Sequence, residues 1–110
     1  MARQSQAADE LSPAAHAALT RLGQDIAAAI RVRESYQAFA KRVGVSRTTL
    51  RKLINGDPGV SIGTLISVLD TLGLLNHLDD VAAPEKDALG QSLRLQRGKQ
   101  DVGLNMNTDF

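Results

Sequence analysis

The sequence predicts an all-α fold: five short helices followed by a short C-terminal extension with strand character. Three observations lead there. Hydrophobic residues make up 43% of the chain but aromatics only 3%, so Leu, Ile, Val and Ala must fill the core, a composition suited to packed helices. Apolar residues recur at three- and four-residue spacing along most of the chain. Serine before four of the apolar runs and glycine after three of them are the usual signs of helix starts and stops. With 110 residues the chain has room for one domain. A chain of this size buries roughly 65% of the surface that its unfolded form exposes, enough for one core without staples.

The elements follow in order. Residues 1–12 are polar and aperiodic at first and are expected to form a disordered leader. Ser12-Pro13 then places an N-cap before a proline at the first helical position. Leu19, Leu22, Ile26 and Ile30 predict a helix from about Pro13 to about Arg33, in which Gly23 marks a close helix contact. Ser35 caps a second helix, Tyr36 to Val43, with Phe39, Ala40 and Val43 inward and Gly44 as its left-handed end. Ser46 caps a third, Arg47 to Ile54, with Leu50, Leu53 and Ile54 inward and Asn55-Gly56 closing it. Ser61 caps a fourth, Ile62 to Leu72, whose apolar residues are Ile62, Leu65, Ile66, Leu69 and Leu72; Gly73 ends it. Leu74, Leu75, Leu78 and Val81 predict a short fifth helix stopped by Ala83-Pro84. Residues 13–83 thus form one domain and 84–110 an accessory extension. In that extension Ser92 to Gln96 alternates like a half-exposed strand, although Leu89 and Leu93 also stand one helical turn apart. The tail beyond Gly98 is expected to be disordered.

Composition also excludes. The absence of cysteine removes disulfides, zinc-thiolate sites, iron–sulfur clusters and cysteine nucleophiles. No uncharged run approaches the roughly 18 residues that a membrane span requires. The first residues, MARQSQAADELS, lack the apolar stretch of a signal peptide, so a soluble, cytoplasmic protein is expected. His16 and His77 lie far apart with no motif around them, and no metal site is expected. Adjacent Asp79 and Asp80 diverge on a helix, and no carboxylate pairs with His or Ser in a catalytic pattern. GDPGVSIGT has the glycines of a phosphate loop without its lysine, which rejects nucleotide binding. No catalytic residue and no cofactor are expected.

The net charge of +1 hides an asymmetry. Residues 31–56 carry seven basic groups (Arg31, Arg33, Lys41, Arg42, Arg47, Arg51, Lys52) against Glu34 alone, while residues 57–87 carry Lys86 against six acidic groups. Charge by itself leaves two readings open, a polyanion-binding face and a solvated charged surface. The spacing within YQAFAKRVGVSRTTLRKLING (36–56) decides between them. Ala40 supplies the small residue at a helix crossing, Gly44 the tight turn, Val45 an apolar plug, and Leu50 and Leu53 a buried face. Arg47, Thr48, Arg51, Lys52 and Asn55 then share the opposite face of the third helix. That combination points to DNA binding rather than to a generic helical hairpin.

These residues resemble the lambda-repressor-like (Xre) helix-turn-helix proteins, and the likeness extends from Leu22 to Leu78. Within that family, GDPGVSIGTL and the following LDTLGLLNHLDDVAAPEKDALG look most like HipB-type antitoxins, small dimeric repressors that pair with a HipA-like kinase toxin. The resemblance implies that Arg47, Thr48 and Lys52 meet base edges, that Arg51 meets a base or a phosphate, and that Ser46, Thr49 and Asn55 serve phosphates or cap the helix. It also implies a phosphate contact at the start of the second helix. Family members often carry Gln there; this chain has Tyr36 followed by Gln37, and a tyrosine hydroxyl is able to take the role. Where the family often has Glu before Asn-Gly, this chain has Ile54, which implies an apolar tie. The expected partners are a palindromic double-stranded DNA operator, a second copy of the chain through Leu74, Leu75, Leu78, Val81, Leu93 and Leu95, and a HipA-like toxin. Two other readings stand beside this one: a stand-alone regulator of the same family, and a protein-bridging module of the same fold that does not read DNA.

Overall fold

A computed structural model describes residues 11–100. The disordered leader expected over residues 1–12 lies outside the described residues up to residue 10; of the disordered tail expected beyond Gly98, residues 101–110 lie outside them, while Lys99 and Gln100 are corrected to helix. The chain divides into two compact units, one up to Leu75 and one from Asn76.

The first unit holds four α-helices: α1 (Pro13–Arg31), α2 (Tyr36–Val43), α3 (Arg47–Ile54) and α4 (Ile62–Leu72). Each begins as the serines require. The hydroxyls of Ser12, Ser35, Ser46 and Ser61 accept from the backbone N–H three residues on, at 3.0–3.1 Å, which satisfies one of the donors that a helix start leaves unpaired. α1 ends at Arg31, slightly before the expected Arg33. The guanidinium of Arg33 folds back instead, donating to the carbonyls of Ala29 at 2.8 Å and Leu72 at 3.3 Å. It ties the ends of α1 and α4 together and serves the last carbonyl of α4.

The core is aliphatic around one ring. Ile26, Ala27 and Ile30 from α1, Phe39 and Ala40 from α2, Leu50 and Leu53 from α3, and Val68, Leu69 and Leu72 from α4 are buried. Of the apolar residues read along α4, Leu69 and Leu72 are buried and Ile62 is 76% exposed, and Val68, which was not among them, is fully buried at 0% exposure. Leu65, Val68, Leu69 and Leu72 form one stripe by three- and four-residue steps, and Ile62 lies in the first turn, short of the buried stretch.

Gly23 is the close contact that its position suggested. A Cβ there would sit 2.7 Å from the carbonyl carbon of Ile54 and 2.9 Å from the carbonyl oxygen of Leu53, and nearer still to that of Ile54. Gly56 completes the seat, since a Cβ on it would stand 2.9 Å from Cα of Thr20. The two glycines let α1 lie directly on the end of α3. Replacing Gly23 with Ala gains about 1 kcal/mol in helix propensity, but the methyl meets backbone that cannot rotate away, an overpacking cost of about 1–3 kcal/mol. Gly23→Ala is therefore expected to lower the midpoint of thermal unfolding by several degrees. A midpoint raised by the substitution would mean that α1 does not seat on α3 in this way.

Two expectations for the C-terminal part are corrected. The short helix expected over Leu74–Val81 is a 3₁₀ helix, Leu75–Asp80. Asn76, His77, Asp79 and Asp80 are weak α-helix formers, and Pro84 forbids extension. A second 3₁₀ turn covers Pro84–Lys86. The strand expected around Ser92–Gln96 is instead helix α5 (Ala88–Gln100). Asp87 starts it: its carboxylate accepts from the Gly90 N–H at 2.9 Å, and its carbonyl from the Gln91 N–H at 3.0 Å. The Gln91 side chain donates back to the Pro84 carbonyl at 2.8 Å. Leu93 and Leu95, which a strand would align, point about 200° apart on a helix. Among the described residues no helix is long and apolar enough to cross a membrane.

Candidate nucleic-acid interface

The turn between α2 and α3 consists of Gly44, Val45 and Ser46. Gly44 has φ +88°, a left-handed conformation that side chains rarely adopt. Its N–H and that of Val45 both donate to the Ala40 carbonyl, at 2.9 and 3.0 Å, which closes α2 and redirects the chain within three residues. Ala40 is buried and Val45 half-buried, so the small residue and the plug stand where the spacing required them.

Helix α3 is eight residues long and strongly two-faced. Leu50 and Leu53 face the core; Arg47, Thr48, Arg51, Lys52 and Asn55 are exposed. Among the described residues the side chains of Arg47, Arg51 and Lys52 have no ion pair or hydrogen bond. Three cations on one short helix, with no intramolecular anion to neutralise them, create a local field that attracts polyanions.

The structure sorts the remaining basic groups. Arg42 binds Glu34 through Nε at 3.0 Å and Nη2 at 2.6 Å, and its guanidinium lies 5.7 Å from the centre of the Phe39 ring. Arg33 is occupied with carbonyls, as described above. Arg31 donates to the Tyr36 hydroxyl at 2.8 Å. Lys41 is exposed. The seven-residue basic block is thus divided between structural cations and the free set on α3, a division that a charge count does not contain.

The expected phosphate contacts gather at helix starts. Ser46 accepts from the Thr49 N–H and donates its own proton to the Thr49 hydroxyl, both at 3.0 Å. Its capping role is realised, and the proton of the Thr49 hydroxyl is left to donate elsewhere. Gln37 is exposed and Tyr36 half-buried at the start of α2. Asn55 caps the end of α3, its N–H donating to the Arg51 carbonyl at 3.1 Å, with its side chain exposed. A shallow pocket of about 130 Å³ lies between the two helices, lined by Tyr36, Arg47, Leu50, Arg51 and Ile54. Ile54 lines it apolarly, where an ionic residue would have competed for the arginines.

A family model described as helix-turn-helix matches residues 28–76. That segment is similar to helix-turn-helix domains. The match takes in the end of α1 and all of α2, α3 and α4, so every residue on the exposed face of α3 falls within it. Helix-turn-helix domains of this kind are DNA-binding regulatory modules, in which the second helix of the motif enters the major groove. The helix at the corresponding place in this chain is α3. No curated protein and no solved structure matches the chain.

Proposed function

We propose that this protein is a sequence-specific transcriptional repressor that binds duplex DNA as a homodimer, acts as the antitoxin of a HipA-like kinase toxin and represses its own operon. The observation that carries the DNA reading is the exposed, unpartnered cationic face of α3 in the reading position of a helix-turn-helix domain. Arg47, Thr48, Arg51 and Lys52 read bases: arginine and lysine pair with guanine O6 and N7, and the threonine methyl packs on thymine. Tyr36, Gln37, Ser46, Thr49 and Asn55 hold the backbone and set the register. A gel-shift titration with Arg47→Ala and Lys52→Ala tests the assignment.

One recognition helix reads only a few base pairs, and a two-fold copy doubles the reach, with half-sites about 10 bp apart or a multiple of that. The apolar residues of the C-terminal part suit such a contact. Leu75, Val81, Leu93 and Leu95 are exposed, and Leu74 and Leu78 are half-buried. Sedimentation is expected to give a dimer at micromolar concentration, and Leu75→Asp with Val81→Asp to give a monomer. A wild-type monomer bound to DNA as a single copy would overturn the dimer.

The antitoxin role rests on the likeness of residues 56–90 to HipB-type proteins. It separates from the stand-alone regulator by purification from the native locus, where the antitoxin emerges with a kinase-like partner and the regulator alone.

A further inference from the structure

The DNA reading of α3 does not account for Arg31. Arg31 lies in the last turn of α1, outside the two helices of the motif, yet its Nη1 donates to the Tyr36 hydroxyl at 2.8 Å. Tyr36 in turn lines the pocket shared with Arg47 and Arg51. One phenol therefore links the end of α1 to the cationic face of α3. The nearby acid does not neutralise this group: Glu34 is bound by Arg42, and Arg31 has no ion pair among the described residues.

We infer that Arg31 and Tyr36 form a clamp for one DNA phosphate at the edge of the α3 footprint. The donor arithmetic supports it. A guanidinium has five N–H donors, and Arg31 spends one on Tyr36. The Tyr36 hydroxyl accepts that bond and keeps its own proton to donate. Two donors held side by side by a hydrogen bond match the paired oxygens of a phosphate, and the planar fork of arginine suits such a group better than a lysine ammonium. The bond also holds the long Arg31 side chain in place before DNA arrives, which reduces the ordering cost of the contact. Arg31 is the phosphate-binding group; Tyr36 both donates to the phosphate and positions Arg31.

This inference rests on the proposed DNA binding, and the test separates the two. Full-length protein is titrated with a fluorescent random-sequence duplex over a range of salt concentrations. Wild type is expected to bind with a steep negative dependence of log affinity on log salt. Arg31→Ala is expected to bind roughly tenfold more weakly, with a salt slope smaller by about one. Arg31→Lys keeps the charge and the slope but loses part of the affinity. Tyr36→Phe keeps the ring in its pocket, weakens binding less than Arg31→Ala and leaves the slope unchanged. The double variant loses no more than Arg31→Ala with a small increment, because both groups serve one phosphate. Arg31→Ala with the wild-type affinity and slope overturns the clamp while the DNA reading stands. A wild-type protein that binds no duplex overturns the DNA reading and the clamp with it. Arg31 is exposed and Tyr36→Phe removes only the hydroxyl of a half-buried ring, so thermal melts close to wild type are expected for every variant.

Discussion

Phe39→Ala is expected to cost about 3–5 kcal/mol of folding stability, a large share of the 5–15 kcal/mol that a whole domain has to lose. Phe39 is the largest of the fully buried side chains and supplies the one ring in a core otherwise built from Ile, Leu, Val and Ala. The neighbouring helices are seated on α2 by backbone features, the Ala40 crossing and the Gly44 turn, so they have little freedom to close over the vacated volume. The ring also lies beneath the Arg42 guanidinium, a contact worth up to about 1 kcal/mol at a partly exposed site. Urea or thermal denaturation followed by circular dichroism measures the loss. Phe39→Leu, which keeps most of the volume, is expected to lose far less. Equal stability of Phe39→Ala and wild type would mean that the core is not organised around this ring.

Much of this domain was legible because its instructions are local. Four serines predicted four helix starts, and all four cap with their hydroxyls. Gly44 predicted the left-handed turn, and Gly23 predicted a backbone approach that the packing of α1 on α3 realises. The division of α3 into a buried and an exposed face follows from helical periodicity alone. The family match over residues 28–76 agrees with the reading of the motif between Tyr36 and Gly56.

What was not legible depends on how the helices end and meet. Arg33, Arg42 and Arg31 look alike in a charge count, but one closes α4, one binds Glu34 and one reaches Tyr36. No local pattern separates them, because the partners are set by how α1 ends and where α4 finishes. The extension was misread for a different reason. Leu93-Arg94-Leu95-Gln96 satisfies strand alternation and helix propensity equally well, since Leu, Arg and Gln all favour helices. Asp87 was the available signal: an N-cap residue directly before Ala88-Leu89. On α4 a list of apolar residues does not tell which are inward: Ile62, in the first turn, is exposed, while Val68 is fully buried.

Arg47→Ala and Lys52→Ala together are expected to remove most of the specific DNA binding. Each residue is exposed, lies on the outer face of α3 and has no partner within the described residues, so neither substitution disturbs the fold. Loss of a base-reading arginine or lysine costs about 1–3 kcal/mol. Their side chains lie more than one helical turn apart and share no partner, so the costs should add to about 2–6 kcal/mol. The DNA upstream of the protein's own gene is the duplex to use, because an autoregulator binds there. A random-sequence duplex of equal length supplies the comparison. The double variant should lose far more affinity on the first duplex than on the second, because base contacts discriminate between sequences while phosphate contacts do not. Lys41→Ala, an exposed cation late in α2, serves as the control and should change neither. If the double variant separates the two duplexes as well as the wild type does, α3 is not the reading element, and its three free cations serve only to hold the backbone.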